Sequence, residues 1–474
     1  MNGFESSGKT CGSSSLAGRK VLVMGLGRFG GGVDAARYAA QSGARVIVTD
    51  KASEEQLRDS IGQLSDVSGI EYHLGRHDAE DFASADVVIA NPAIPPDNEF
   101  LQVARRNGRT VTSQMGLFFQ SCPARIIGIT GANGKSTTTT LTAHLLEHAR
   151  PQSPTQAYGK VWLSGNIGDK PLLTILDQIR SEDLVVLEIS SFQIDQLAQL
   201  GTAPKVSLLT NLTPNHLDRY GTFEAYCASK EALFSLQTLD SKDPAVSLFN
   251  AEDPIARSWF AKYGSQVGRT CIQFSADDIG SELRAQYALP GRANLSNLAA
   301  ARAIANCFGV SDAAIRSCLS NFKALSHRLE LVAEGGGIRW YNDSKATTPE
   351  GTMVALSAFD CPKILIAGGY DKHTPFDELG RRIATSTKAV VLIGQTARAI
   401  AEAIGAGQGG QTPEVRFAGS LEEAVEAAGK LASPGDVVLF SPACASYDMF
   451  ENYQQRGRMF GEFARKVVNE RLLG

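Results

Sequence analysis

Short hydrophobic runs alternate with longer amphipathic stretches along most of the chain. After Lys20, apolar runs at 21–24, 46–49 and 85–90 predict β-strands, and the stretch 33–41 predicts a helix. Strands that alternate with helices in this way are typical of a parallel sheet with helices on its faces. We therefore expect the first part of the chain to be an α/β domain.

The same alternation continues through a longer middle stretch. A strand at 125–130 leads into a glycine-rich loop and then into a helix at about 135–149. Further strands are predicted at 184–188, 206–210 and 246–249, and further helices at 223–236 and 295–308. The middle stretch is therefore expected to form the largest α/β domain.

A third stretch begins after Ser326. Apolar residues at 331–332 and 338–341 on either side of three glycines predict a hairpin, and later strands are predicted at 363–367, 389–393 and 437–440. The chain is thus predicted to be an α/β protein of three domains: a Rossmann-like N-terminal domain, a central P-loop-type ATPase domain with a parallel sheet, and a Rossmann-like C-terminal domain. The expected bounds are 19–122, 123–325 and 326–474, after a polar, disordered lead-in at 1–18.

Composition narrows the class of protein. The 474 residues are 43% hydrophobic and 20% charged, and 46 Lys and Arg residues nearly balance 50 Asp and Glu residues, so a nucleic-acid partner is not expected. The eight cysteines include no Cys-x-x-Cys pair, which argues against a zinc site and a disulfide framework. No apolar stretch approaches the roughly 20 residues that span a bilayer, and the start has no hydrophobic leader, so a cytoplasmic protein without membrane insertion is expected.

The first glycine cluster lies between a strand and a helix. Gly25, Gly27 and Gly30 have the dinucleotide-binding spacing, and Asp50 closes the next strand about twenty residues on. Backbone amides at such a helix N-terminus favour a diphosphate, and the acid can bind a ribose or a base. The motif itself leaves open NAD, a nucleotide-sugar diphosphate or a tight structural turn.

The second glycine cluster predicts an ATP phosphate site. In Gly131-Ala132-Asn133-Gly134-Lys135-Ser136-Thr137, amides, an ammonium and a hydroxyl can converge on phosphates and Mg²⁺ at a strand-to-helix junction. The loop differs from a standard Walker A motif, because Ile129 stands where that pattern has its first glycine.

Polar residues also follow several other predicted strands, where ligands bind in parallel sheets. Glu188 ends one strand and can hold Mg²⁺ beside the phosphate loop, and His216 follows another. In the third domain, polar segments at 342–347, 368–372 and 441–446 each follow a strand. Turn chemistry could account for any one of them, but three together predict a polar site.

These motifs together resemble the Mur ligase family over almost everything from Lys20 onward. The loop 131–137 resembles the family's variant P-loop, and the segments 165–168, 188–193, 211–220 and 327–330 also resemble Mur patterns. Two further stretches, 344–347 and 441–450, resemble the D-glutamate-adding members specifically.

The resemblance implies an ATP-dependent ligase of cytoplasmic peptidoglycan precursor synthesis. Its expected substrates are UDP-N-acetylmuramoyl-L-alanine and D-glutamate, joined through an acyl phosphate, and we expect it to act as a monomer. The implied cofactors are ATP, two Mg²⁺ ions and a carbamate on Lys230. On local sequence alone, however, Lys230 would be interpreted as a solvated helix lysine.

The resemblance also implies roles for individual residues. Lys135, His216 and Lys230 are the expected catalytic residues. ATP is expected to contact Gly131, Ala132, Asn133, Gly134, Lys135, Ser136, Thr137, Arg328 and Asp343, and the metal ligands are expected to be Ser136, Glu188, His216 and carbamylated Lys230. The UDP substrate is expected at Gly27, Arg28, Phe29, Asp50, Asn166 and His216, and D-glutamate at Thr347, Lys372, Ser446 and Tyr453.

Two other functions stay open at this point. One is another ligase of the same superfamily, which would accept a different amino acid, dipeptide or folate substrate. The other is a nucleotide-sensing or NAD-binding regulator without ligase activity, which would release no phosphate.

Overall fold

The computed structural model describes residues 16–28, 30–151, 153, 156–167, 171–406 and 413–473. The predicted lead-in at 1–18 therefore lies outside the described residues except for its last positions, 16–18. Two compact units divide the chain: a first unit within 1–274 and 300–312, and a second unit within 275–299 and 313–474. No helix in the described part of the chain is long and apolar enough to span a bilayer.

The first unit begins with a five-stranded parallel sheet, which we call the first sheet. Its elements are β1 (Lys20–Met24), α1 (Gly31–Gln41), β2 (Arg45–Asp50), α2 (Arg58–Gly62), β3 (Ile70–Leu74), α3 (Ala79–Ser84), β4 (Val87–Ala90), α4 (Glu99–Arg106), β5 (Thr110–Thr112) and α5 (Gln114–Ser121). The strand order β3-β2-β1-β4-β5 is the Rossmann order without its sixth strand. The predicted strand at 85–90 is shorter in the structure, because α3 is followed by Ala85 as its cap and β4 begins only at Val87.

The core of this sheet follows from the alternation of side chains along a strand. Val21 and Val23 of β1 pack into one buried cluster, whereas Leu22 and Met24 pack into another. Successive strand residues point to opposite faces, so a strand with a continuous apolar run, such as 21–24 of β1, is covered on both sides. The apolar run that predicted this strand is thus explained by burial on two faces.

A six-stranded parallel sheet, the second sheet, follows in the first unit. The elements from residue 125 to 274 are β6 (Arg125–Thr130), α6 (Lys135–His148), β7 (Val161–Gly165), β8 (Leu184–Glu188), α7 (Ser191–Gln199), β9 (Val206–Leu209), α8 (Leu217–Tyr220), α9 (Phe223–Ser235), β10 (Ala245–Asn250), α10 (Pro254–Tyr263) and β11 (Arg269–Phe274). Three helices follow, α11 (Ser281–Gln286), α12 (Arg292–Cys307) and α13 (Asp312–Leu319), of which only residues 300–312 belong to the first unit. The strand order is β11-β10-β9-β6-β8-β7. Strand β6 therefore lies centrally, between β8 and β9.

The second unit contains the third sheet, which is parallel except at one edge. Its elements are β12 (Glu330–Gly335), β13 (Ile338–Asn342), α14 (Pro349–Leu356), β14 (Lys363–Ala367), α15 (Asp377–Ser386), β15 (Ala389–Leu392), α16 (Ala397–Ala406), β16 (Glu414–Phe417), α17 (Leu421–Leu431), β17 (Val437–Phe440) and α18 (Tyr453–Leu473). The order is β12-β13-β17-β14-β15-β16, and β12 and β13 form the predicted antiparallel hairpin. The predicted α/β class is confirmed in all three sheets.

Candidate functional site

The main group of predicted site residues lies at the centre of the second sheet. Strands β6, β8 and β9 are adjacent and parallel, so their carboxyl ends meet at one edge. After β6 the chain forms β7 and β8 on one side of this strand and then crosses over to form β9 on its other side, so the strand order reverses at β6. Ligands bind where the strand order reverses in this way.

The loop after β6 is held in place by residues that follow β9. A Cβ on Gly131 would lie 1.9 Å from Thr210 Oγ1, so this position excludes any side chain, and its φ of 147° also favours glycine. Asn211 accepts from the amides of Ala132 and Asn133 (2.8 and 2.9 Å), and Thr210 Oγ1 donates to Asn133 O (2.6 Å). The loop backbone is therefore fixed by contacts from the neighbouring strand.

Helix α6 begins directly after this loop. Gly134 is its N-cap residue in a left-handed conformation, and Lys135, Ser136 and Thr137 form its first turn. The amide groups and the helix dipole at such an N-terminus favour phosphate. Lys135 Nζ donates to Ala132 O (2.8 Å), which keeps the ammonium against the loop.

Glu188 at the end of β8 is a buried carboxylate with one oxygen available. The residue is 3% exposed, and its Oε1 accepts from Asn166 Nδ2 (3.1 Å). Its Oε2 is buried and accepts no hydrogen bond from any residue that the structure describes. A buried carboxylate oxygen without a donor is suited to a hard cation such as Mg²⁺, which takes oxygen ligands. The donor set therefore fits a Mg²⁺ ion that also binds phosphate and water.

Among the described residues, no three His, Cys, Asp or Glu side chains cluster as a metal site. The candidate set does not require such a cluster. Its protein ligands would be the Ser136 hydroxyl and Glu188, because Mg²⁺ keeps several waters and usually binds one or two carboxylates together with substrate phosphates.

Lys230 of α9 is buried at the base of the phosphate loop. It is 1% exposed, and its Nζ donates to Oγ1 of Thr130, the last residue of β6 (3.0 Å). Burial is the largest cause that lowers the pKa of Lys230 well below its ordinary value, and the positive charge of Lys135 lowers it further. The alternative of a solvated helix lysine is therefore wrong.

His216 lies close enough to both lysines to respond to their charge. It caps the short helix α8 with a left-handed φ of 53°, and its ring lies 5.0 Å from the Phe192 ring. Although part of the residue is exposed, desolvation of the ring is the largest cause that lowers the pKa of His216, followed by Lys230 and Lys135. The imidazole is therefore biased toward its neutral, ligand-competent form.

The first glycine loop and Asp50 lie together at the end of the first sheet. Gly27 N donates to Asp50 Oδ2 (3.1 Å), and the buried Ser60 donates through Oγ to Gly27 O (2.7 Å). Arg28 is exposed beside them, and Phe29 lies outside the described residues. The loop and the acid are therefore in direct contact, and their binding of one ligand stays a prediction.

In the second unit, Asp343 is buried where β13 and β17 end. Its carboxylate accepts from Ser441 Oγ (2.8 Å) and from Leu329 N (3.3 Å). Burial raises the pKa of Asp343 from 3.8 to about 7, against the opposing effects of the Ser441 hydrogen bond and the nearby Arg328 charge. A carboxyl group with this pKa is unusual and marks a candidate functional position.

The three polar segments of the second unit come together. Tyr370 N donates to Ala445 O (2.9 Å), and Gly368 N donates to Pro442 O (2.8 Å), which joins two of the segments. Ser446 is buried, Thr347 and Tyr453 are partly exposed, and Lys372 is exposed. The Tyr453 ring lies 5.7 Å from Lys345 Nζ.

Sequence reasoning missed the residue that links these segments. Arg456 of α18 is 1% exposed and donates to Ser344 Oγ (3.0 Å), Ser344 O (2.8 Å) and Ala445 O (3.1 Å). An arginine inside a long polar helix carries no sequence signal of burial. The sequence indicates Asn211 only as part of a motif and Thr210 only as a strand residue, although both hold the phosphate loop.

Comparisons with known proteins place three family models along the chain. A model of the Mur ligase MurD-like N-terminal domain matches residues 19–113, the Mur ligase middle domain matches 129–305, and the Mur ligase glutamate ligase domain matches 327–444. The three models follow one another in chain order.

Two similar relatives are named UDP-N-acetylmuramoylalanine–D-glutamate ligase. The protein from Roseiflexus sp. is 40% identical over 96% of this chain and 99% of its own length. The protein from Geobacter metallireducens is 37% identical over 96% of this chain and 98% of its own length.

Solved structures show the same fold at lower identity. The UDP-N-acetylmuramate-alanine ligase MurC from Thermotoga maritima has a TM-score of 0.54 and 19% identity, with 94% of this chain and 98% of that chain covered. The MurF ligase from Thermotoga maritima, solved in complex with ADP, has a TM-score of 0.56 and 18% identity, with 97% of each chain covered.

Proposed function

The chain belongs to the Mur ligase family, and on that premise we propose that it adds D-glutamate to UDP-N-acetylmuramoyl-L-alanine at the expense of ATP. This is a carboxylate–amine ligation in peptidoglycan precursor synthesis. The choice of D-glutamate is supported by relatives of that name with 34–40% identity along almost the whole chain.

One observation carries the reaction class. A fully buried lysine, Lys230, lies at the base of a phosphate loop, where the charges of Lys135 and Glu188 act on it in opposite directions. A purely structural P-loop has no use for a buried amine beside its own lysine, because burial and the nearby charge of Lys135 both disfavour the protonated form of that amine. The arrangement is suited to a reaction that brings additional negative charge to this point.

The first step of the proposed reaction is transfer of the ATP γ-phosphoryl group to the substrate carboxylate. The oxygen of the carboxylate bonds to phosphorus as the bond to ADP breaks, which gives an acyl phosphate. Both reactants are anionic, so the step requires positive charge and fixed amide donors. Lys135 and the amides at the start of α6 would supply them.

The metal ligands are assigned as part of the same proposal. Ser136 and Glu188 would hold one Mg²⁺ ion, and His216 with modified Lys230 would hold a second. When bound, Mg²⁺ neutralises phosphate charge and orients the transferred group. The unpaired Oε2 of Glu188 and the lowered pKa of His216 support these two positions.

Lys230 would serve as a carbamate. Its neutral amine adds to the carbon of CO₂: a nitrogen–carbon bond forms, the π pair of one C=O bond moves to that oxygen, and a proton leaves to solvent, so a buried neutral amine becomes an anionic oxygen donor. The lowered pKa of Lys230 supports this step, because only the unprotonated amine reacts. The carbamate would also be attracted to Lys135, which repels the ammonium form.

Substrate contacts are assigned to the remaining predicted residues. The UDP part would bind at Gly27, Arg28, Phe29 and Asp50, and the sugar end would reach Asn166 and His216. Because Asn166 also donates to Glu188, it would link substrate binding to a metal ligand.

Residues of the second unit complete the assignment. Arg328 and Asp343 would contact the nucleotide, and Thr347, Lys372, Ser446 and Tyr453 would contact D-glutamate, whose carboxylates suit an ammonium and hydroxyl groups. The amine of D-glutamate then attacks the acyl phosphate, and phosphate leaves as the amide bond forms.

The broader organisation is part of the proposal. We assign residues 19–122 to binding of the UDP substrate, 123–325 to ATP and 326–474 to the amino acid. We also propose that the protein acts in the cytoplasm as a monomer.

A substrate-choice assay tests the proposed function. The purified protein is incubated with ATP, Mg²⁺ and UDP-N-acetylmuramoyl-L-alanine, and D-glutamate, L-alanine, L-lysine or D-alanyl-D-alanine is added in turn. Phosphate release and a new UDP-linked product are expected with D-glutamate only. Turnover that requires a different acceptor, or none at all with any acceptor, would overturn the proposal.

A further inference from the structure

A buried carboxylate outside the predicted site connects two parts of the first unit. Asp34 lies in the first turn of α1, is 7% exposed, and was not among the predicted site residues. Its side chain accepts five hydrogen bonds. The donors are Gln114 Nε2 (2.6 Å), Leu172 N (3.1 Å), Leu173 N (2.7 Å), Thr174 N (3.2 Å) and Thr174 Oγ1 (2.7 Å).

These five bonds exceed what helix stability needs. A carboxylate offers about four lone-pair sites, and here all of them face donors, three of which are consecutive backbone amides. Those amides belong to a turn about 140 residues away in the chain. Asp34 therefore fastens α1 to the segment 172–174 rather than to its own helix.

On one side, Asp34 is bonded directly to the glycine loop proposed to hold the UDP diphosphate. Its amide donates to Gly30 O (2.9 Å), the first hydrogen bond of α1. Gly30 in turn is the N-cap residue of that helix. A shift of α1 would therefore move the end of the UDP loop with it.

On the other side, the segment 172–174 continues toward Glu188. Ser164 Oγ of β7 donates to Pro171 O (2.6 Å), next to the amides that Asp34 binds. A Cβ on Gly165 would lie only 2.3 Å from Glu188 O, and Asn166 donates to Glu188 through both its amide (2.8 Å) and its side chain (3.1 Å). The end of β7 is thus packed directly against the candidate metal ligand.

We propose that Asp34 is a positioning residue that holds the UDP-binding loop in register with the phosphoryl-transfer centre at Glu188. The proposal rests on the proposed function, since it concerns how the UDP substrate is delivered to that centre. Asp34 contacts neither substrate nor metal. It acts through α1 on one side and through the 171–174 turn on the other.

The variant Asp34→Asn tests this role. It retains shape, but its amide group would present hydrogens to donors that already face the site. We expect the KM for UDP-N-acetylmuramoyl-L-alanine to rise about tenfold and kcat to fall, whereas the KM for D-glutamate stays within about twofold. Thr174→Val, which removes one of the five bonds, should show a smaller change in the same direction, and Thr174→Ser should restore wild-type values.

Asp183→Asn is the matched control. Asp183 is 5% exposed and accepts from Lys160 N (2.8 Å), Trp162 Nε1 (2.9 Å) and Arg180 N (3.0 Å). Asp183 joins β7 and β8, the two strands whose carboxyl ends meet at Glu188, but it does so at their amino ends. This variant should lose thermal stability and keep wild-type KM and kcat per folded molecule. Equal kinetic changes in both variants, or none in Asp34→Asn, would overturn the proposal.

Hydrogen exchange provides a readout that does not depend on turnover. With UDP as the probe, the wild-type protein should gain protection in peptides covering 25–41 and also in those covering 184–190. The Asp34→Asn variant should gain protection only in the peptides that cover 25–41. If Asp34→Asn gains the same protection in 184–190 as the wild type, the inference alone is contradicted. If the wild-type protein binds no UDP, the UDP assignment and the inference are contradicted together.

Discussion

Lys135 is the residue whose charge the proposed reaction needs most. Replacing it in Lys135→Ala removes the cation that is held against the phosphate loop through Ala132 O. We expect kcat to fall by a factor on the order of 100 to 1,000, as for loss of one electrostatic contact in a transition state. Phosphate release under saturating substrates measures the effect.

The control for this change is Lys262→Ala. Lys262 is exposed on α10 and pairs with Glu231 (2.7 Å), so its loss removes a surface charge of the same type. We expect wild-type rates in this variant. Wild-type rates in Lys135→Ala as well would contradict the loop assignment.

Lys230 permits a chemical rescue experiment. Lys230→Ala should abolish turnover and leave a cavity that a short carboxylic acid can enter, so added formate or acetate should restore part of the rate by replacing the carbamate oxygens. Lys363→Met, which alters another buried lysine whose Nζ donates to Phe359 O (2.7 Å), should keep activity and not respond to the acids. Full activity of Lys230→Ala, or loss without rescue, would count against the carbamate.

Asp343 predicts a specific pH dependence of stability. Its pKa is about 7 in the folded protein against 3.8 as the ordinary value, so between these two pH values the folded state retains a proton that the unfolded state has lost. The free energy of unfolding therefore falls as pH rises through this window and levels off above it, with a contribution of up to about 1.4 kcal/mol per pH unit.

Urea unfolding of the wild type and of Asp343→Asn between pH 5 and 8 isolates this contribution. The Asn side chain does not titrate, so the difference between the two free energies should slope downward with pH below about 7. Parallel pH profiles of the two proteins would show that Asp343 ionises normally.

Individual site residues differ in how far the sequence could reveal them. The phosphate loop is recognisable because glycine, lysine and serine at this spacing have few structural uses. Lys230 is different, since Tyr226 to Glu231 has the composition of any half-exposed helix, and only the packing of α9 on the sheet buries it. Asp34 and Arg456 gave no signal, because they bind residues such as Thr174 and Ser344 that lie more than 100 positions away in the chain.

At the scale of elements, the junction of β6 and α6 depends on close contact with β9. Gly131→Ala would place a methyl group against Thr210 Oγ1 and impose an unfavourable φ, so the loop must shift. We expect the KM for ATP to rise and turnover to fall by at least about 100-fold. Gly62→Ala is the matched control, because nothing lies within 4 Å of the added Cβ. Normal ATP kinetics in Gly131→Ala would contradict the described loop geometry.

The strands that sequence analysis missed share one property. Strands β6, β8, β14 and β17 were predicted with their observed bounds, and all lie inside a sheet, where burial on both faces produces a nearly unbroken apolar run. The missed strands all lie at sheet edges: β3, β5, β7, β11 and β16. An edge strand is only half covered, and polar residues interrupt the apolar pattern in β3, β5, β11 and β16, whereas the apolar run of β7 is only three residues long.

At the scale of the whole molecule, the proposed monomer can be measured. The eight large hydrophobic side chains that are exposed in the described part of the chain come from separate loops, helices and strands, including Leu217, Val267 and Phe417. The Tyr370 and Tyr447 rings contact each other (6.2 Å between centroids), but such a pair is much smaller than the broad apolar patch that a stable interface needs. Light scattering after size exclusion should give 50.5 kDa at micromolar concentration, and a mass of twice that value would contradict the proposal.

The sequence was most informative about the fold class and family of the whole molecule, and least informative about the bonds that join segments distant in the chain. The α/β class followed from the alternation of strands and helices, and the relation to Mur ligases followed from motifs at strand ends. The bonds that connect distant segments, such as Asp34 with 172–174, depend on tertiary packing, which periodicity does not encode.

The polar edge strands also bear on aggregation. An open sheet edge presents unpaired backbone groups to which another chain can add a strand. Here β5 is three residues long and β16 four, and the exposed Glu414 and Arg416 of β16 form an ion pair on that edge. Short length at both edges, and the ion pair on β16, make these strands poor templates for another chain. The polar residues that prevented their prediction from the sequence would therefore also limit edge-to-edge association in a crowded cell.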